Sequence, residues 1–131
     1  MMAGRLFLVA SLSLVFAYPL FAQDAAATNP EKYKVILEND SVRVLDYQDH
    51  PGETTTAHSH PRFVLYALSD FQRTLTFPDG KTITRKFKTG DVIYMEAQTH
   101  IGRNVGDTDT HVVIVELKQA APNAEPEAGA Q

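Results

Sequence analysis

Between Tyr33 and Leu117 the chain is a series of short apolar or alternating runs, each closed by residues that break regular structure. Val35-Ile36-Leu37 ends at Asn39-Asp40, and the run from Val42 to Tyr47 ends at Asp49, Pro51 and Gly52. Runs from Thr56 to His60, Phe63 to Leu68 and Thr74 to Phe77 follow. Pro78-Asp79-Gly80 then reads as a tight turn, because Pro fixes φ and Gly accepts the positive φ that closes it. Lys81 to Phe87 begins with polar and apolar residues in alternation, which predicts the second half of a hairpin with one wet face. Asp91 to Met95 and His111 to Leu117 complete the series. The last run is apolar on both faces, as a central strand is. No segment past residue 22 keeps a 3.6-residue period, so the pattern predicts an all-β chain, an antiparallel sandwich or barrel.

The two ends read differently. Arg5, an apolar stretch from Leu6 to Ala17, Pro19 and Ala22 before a polar segment match a secretory signal peptide over residues 1–22. The apolar stretch falls short of the roughly 20 residues that a membrane span needs. Residues 23–30 are expected to form a linker, 31–118 the folded domain, and 119–131 a disordered tail of Ala, Pro, Glu, Gly and Gln. The expected location is periplasmic or secreted, with no membrane association after cleavage.

Composition narrows the chemistry. There is no cysteine, so disulfide staples, iron–sulfur clusters and thiolate zinc sites are excluded, and a metal must be held by nitrogen and oxygen. The formal net charge of −4 and the scattered Lys and Arg give no footprint for nucleic acid. Against that background His58-Ser59-His60 stands out. In an extended strand residues i and i+2 leave on one face, so both imidazoles aim the same way, and His100 supplies a distant third. Two convergent imidazoles and a third make a transition-metal site the leading reading, with satisfied histidines in a metal-free fold as its rival.

Gly52, five residues, His58-x-His60, and later Gly90 followed by His100-x-x-x-Asn104, resemble the two motifs of the cupin superfamily, G-x5-H-x-H-x3,4-E-x6-G and G-x5-P-x-G-x2-H-x3-N. The resemblance spans Gly52 to Asn104 and implies an antiparallel double-stranded β-helix, the cupin or jelly-roll barrel, with one divalent metal held inside by His58, His60 and His100. The departures are specific. The first-motif Glu falls at Val64 or Leu65, its closing Gly is missing, and the second-motif Pro and Gly are replaced around Glu96-Ala97-Gln98. Three-histidine sites occur in cupin-type enzymes, cysteine dioxygenases among them. Glu96 restores a carboxylate only if its loop turns it inward with residues 98 and 100.

Three neutral imidazoles leave a divalent ion its full charge and open positions, which favours an anionic small-molecule ligand. The identity among Fe, Mn, Ni, Zn and Cu is not fixed by an all-nitrogen donor set. If strand alternation runs on past His60, then Arg62, Val64, Tyr66 and Leu68 share its face. Tyr66 is then a pocket hydroxyl, and Arg62 an anion clamp at the mouth. Arg103, beside the second motif, is a further substrate-binding candidate. Tyr66 and His111 are the candidates for moving protons. Tyr94, Gln98 and Asn104 are candidate partners for the histidine N–H groups, and His50 is expected at the surface.

The function this supports is a metal-dependent enzyme on a small anion, dioxygenase-like ahead of hydrolase, isomerase or decarboxylase. A non-catalytic cupin that captures or senses a ligand or metal, and a structural module, are the competing classes. A homodimer through the sheets is compatible with the apolar last strand.

Overall fold

The computed structural model describes residues 23–119; the expected signal peptide and all but the first residue of the expected tail lie outside them. Nine strands follow one short helix: α1 (Ala25–Thr28), β1 (Tyr33–Glu38), β2 (Val42–Asp49), β3 (His58–His60), β4 (Phe63–Ala67), β5 (Phe71–Thr76), β6 (Thr82–Phe87), β7 (Val92–Met95), β8 (Gln98–Asn104) and β9 (Thr110–Leu117). They form two sheets, β1-β2-β9-β4-β7 and β3-β8-β5-β6, and every strand ladder is antiparallel. The order is that of a double-stranded β-helix, with the chain crossing between sheets so that the core lies between them.

β9 is the central strand its sequence predicts. It pairs with β2 from Asp49↔Thr110 to Val42↔Leu117 without a register shift, and with β4 on its other edge. Its even-numbered residues are buried and its odd-numbered ones half-buried. Inward-facing Leu45, Tyr47, Phe63, Ala67, Val112 and Ile114 from one sheet meet Phe71 and Phe87 from the other. The predicted hairpin joins β5 to β6. Gly80 sits at φ +83° and donates its N–H to the Phe77 carbonyl at 2.9 Å. An L side chain is strained at that φ.

One expectation fails at the N-terminal side. Residues 23–30 are not a free linker but are docked on the barrel. Asp24 caps α1, accepting from the Ala27 N–H at 3.0 Å, and its other oxygen pairs with Arg43. Ala25 and Asn29 are buried, and Asn29 Oδ1 accepts from the Thr56 N–H at 2.9 Å. A single turn this short carries no helical period in sequence, so only the capping Asp marks it.

Candidate metal centre

β3 and β8 build the site together. Their register sets His58 directly opposite His100 and His60 opposite Gln98, so one ladder brings the third histidine beside the first two. On β8 the even positions His100, Gly102 and Asn104 are buried, and on β3 His58 and His60 are. One ring nitrogen from each of the three lies within 4.8 Å of the other two.

Each ring is held by its Nδ1. His58 Nδ1 donates to the Thr56 carbonyl at 2.8 Å, His60 Nδ1 to Glu116 Oε1 at 2.7 Å, and His100 Nδ1 to Gln98 Oε1 at 3.1 Å. All three partners are acceptors, which fixes a hydrogen on each Nδ1 and makes Nε2 the atom left for ligation. Glu116, itself buried, is anchored by Arg43 Nε at 2.7 Å, and Arg43 in turn by Asp24. Gln98 is oriented by donating its own Nε2 hydrogen to the Glu96 carbonyl at 3.2 Å. The Tyr33 hydroxyl donates to His58 Nε2 at 2.9 Å, which places a phenol at the centre of the cluster.

Burial dominates the electrostatics. It pushes His58 down to about 4 and His100 down to about 2, with neighbouring imidazoles and the Arg73 charge adding to the effect. Burial alone would raise Glu116, but the hydrogen bonds from His60 and Arg43 outweigh it and hold the carboxyl below its usual range. His58 and His100 are therefore neutral rings with Nε2 free of a proton, the form that metal ligation requires, and His60 is fixed by a carboxylate. A tetrahedral ion with Zn–N distances of about 2.1 Å sets its nitrogens about 3.4 Å apart. With one nitrogen of each ring within 4.8 Å of the others, an ion would have to draw the rings closer and displace the Tyr33 hydroxyl from the His58 lone pair.

No protein-family model and no curated protein matches the chain. Solved structures do. A cupin domain from Bordetella pertussis Tohama I is similar at 26% identity and a TM-score of 0.61, over 66% of this chain and 92% of that one. The chain belongs to the cupin superfamily. An RmlC-like cupin family protein from Methanocaldococcus jannaschii shares the fold at 16% identity and TM-score 0.54, covering 66% of this chain and 78% of its own. The polyketide cyclase RemF from Streptomyces resistomycificus does so at 17% and 0.51, covering 69% and 66%.

Against the cupin pattern, the structure redistributes the residues singled out from sequence. His58, His60 and His100 come together. Arg62 and Tyr66 do not join them. Pro61 and Arg62 lie between β3 and β4, where the chain leaves one sheet for the other, and the crossing shifts the parity by one. Phe63, Leu65 and Ala67 face inward instead, while Tyr66 is 44% exposed. Leu65, not Val64, is the apolar wall at the cupin Glu position. Arg103 alternates with buried Gly102 and Asn104 and faces outward. His111 is on the outer, odd face of β9, where Nε2 bonds Asp46 at 2.9 Å, so it has no path to the cluster. Glu96 is exposed and only its carbonyl serves the site, through Gln98. Of the proposed N–H partners, Gln98 takes that role. Tyr94 is exposed, and Asn104 instead donates to Asp49 and the Thr108 carbonyl. His50 is at the surface, as expected.

Four further contributors emerge only from the structure: Glu116, Arg43, Tyr33 and Arg73. A signal existed for the first two. Glu116 interrupts an apolar run at a buried-parity position, and Arg43 does the same on β2, directly opposite it in the ladder. Arg73 lines the barrel cavity with His60 and His100, a cavity of about 50 Å³. Its guanidinium bonds Asp49 at 2.5 Å and the Tyr47 hydroxyl at 2.7 Å, and lies 4.8 Å from the centre of the Tyr47 ring.

Proposed function

We propose that this cupin holds one divalent transition metal, from among Fe, Mn, Ni, Zn and Cu, on the Nε2 atoms of His58, His60 and His100. In this reading it acts on a small anionic molecule, with dioxygenase-type chemistry favoured. The carrying observation is the set of three Nδ1–H groups, each donated to a fixed acceptor, with three lone pairs left to converge. Such an ion supplies open coordination positions, Lewis acidity and, for iron, redox chemistry. The chain's own charges support the anionic ligand. Among the described residues no carboxylate joins the His58, His60 and His100 group, so a dication held there would meet only neutral nitrogen donors. Tyr33 is the hydroxyl at the cluster, in the role that strand alternation alone would give Tyr66. Burial raises its pKa, so it remains a proton donor to whatever takes up the space beside His58. The export reading adds a periplasmic or secreted setting and rests on residues 1–22 of the sequence.

The test is oxygen uptake by iron(II)-loaded protein given a panel of short carboxylic acids, beside His100→Ala. Uptake with at least one acid, lost in the variant, is expected. Stoichiometric iron with no uptake for any acid would overturn the oxygenase reading.

A further inference from the structure

Two arginines stand side by side on the wall of the cavity. In the β5–β6 ladder Arg73 pairs directly with Arg85, and both line the same cavity as His60 and His100. Directly opposed like charges on one face of a sheet destabilise the pair unless something compensates. Asp49 compensates one of them, by its bond to Arg73. Among the described residues Arg85 makes no ion pair and no side-chain hydrogen bond, and it is exposed at the mouth. Two cations and one carboxylate leave a net charge of one facing the lumen. Most of the remaining wall is apolar, Phe63, Leu65, Leu75, Ile83, Ile93 and Met95 among it.

We propose that Arg73 and Arg85 form an anion subsite that selects a monocarboxylate with an apolar body, held with its carboxylate against the arginine pair and its skeleton on the apolar wall. The guanidinium fork matches a carboxylate, and the single uncompensated charge matches a monoanion. A dianion such as phosphate would carry excess charge into an apolar lumen, at a desolvation cost. Arg73 is the fixed member, gripped by Asp49 and Tyr47, and Arg85 the exposed one. That the occupant is a substrate rests on the metal-dependent reading above; the subsite itself is formed by the arginine pair without a metal.

The experiment is calorimetric titration of phenylacetate, hexanoate, their amides and inorganic phosphate into metal-free and zinc-loaded protein. It is repeated with Arg85→Gln, a change at the solvent-exposed mouth, and with Arg73→Lys. At least one acid should bind about tenfold or more tightly than its amide, the value of a charge-assisted hydrogen bond. Arg85→Gln should bring that acid down to the level of the amide while leaving zinc stoichiometry unchanged, and Arg73→Lys should weaken it as well. Acids and amides binding alike, neither binding, phosphate binding as tightly as the acids, or Arg85→Gln without effect would each overturn the proposal. If acid selectivity persists in a protein that takes up no zinc, the subsite stands and the metal reading falls. Zinc uptake without acid selectivity leaves the metal reading standing and removes the subsite.

Discussion

Glu116 settles which nitrogen His60 presents, and Arg43 settles where Glu116 stands. The consequence is a defined effect of a small change. Glu116→Gln keeps the shape but sets its amide N–H against either Arg43 or the His60 Nδ1–H and offers the other only a weaker acceptor. Metal affinity should fall about 10- to 100-fold, as for other partners that orient a ligand. Stability should fall by about 3 kcal/mol, because Arg43 then keeps a part-buried charge with only Asp24 to meet it. Competition against a chromophoric chelator reads the first and urea denaturation the second. Affinity equal to that of the parent would mean that barrel packing alone orients His60. At this scale the histidines were legible, because an H-x-H pair on a strand can point only one way. Tyr33 was not, and Glu116 showed only as a charged break in an apolar run, because their contacts join residues 25 and 56 positions apart in the chain.

At the scale of elements, strands and turns were readable and faces were not always. The alternation that puts His58 and His60 together is local to β3, and carrying it across Pro61-Arg62 misplaces Arg62 and Tyr66. A chain that changes sheets between strands can gain or lose a residue of parity there, and the hydrophobic pattern is the better guide in Phe63, Leu65 and Ala67. β8 shows what correct parity demands. A Cβ at Gly102 would stand 2.4 Å from Arg73 Nη2 and 2.8 Å from its Nε, so the guanidinium lies against a bare backbone. Gly102→Ala should push Arg73 off Asp49 and Tyr47 and cost about 1–3 kcal/mol, the usual range for overpacking. A shift in the urea midpoint without a change in m measures it. An unchanged midpoint would show that Arg73 relaxes freely and is not a fixed wall of the cavity.

For the whole molecule, the all-β class followed from many short runs punctuated by Gly, Pro and Asp, and the barrel from the resemblance of the histidine motifs. What decides its behaviour with pH is the buried cluster. In the unfolded chain His58 and His100 protonate near the ordinary value of about 6.5. In the folded chain they do so only near 4 and 2. Between those values the unfolded chain binds more protons, so the metal-free protein loses stability as pH falls, by about 1.4 kcal/mol per pH unit for each histidine. Urea midpoints at pH 7 and pH 5 should differ accordingly, and a flat profile would mean that the rings are solvated in the folded state. The central claim is that His58, His60 and His100 hold a metal. Its most direct test is elemental analysis of residues 23–131 purified without a histidine tag, beside the His58→Ala/His60→Ala double variant. Near-stoichiometric transition metal in the parent, absent from a variant that keeps its β-sheet circular dichroism, is the expected result. A parent that takes up no metal after reconstitution with iron, manganese, nickel, zinc and copper would contradict the claim.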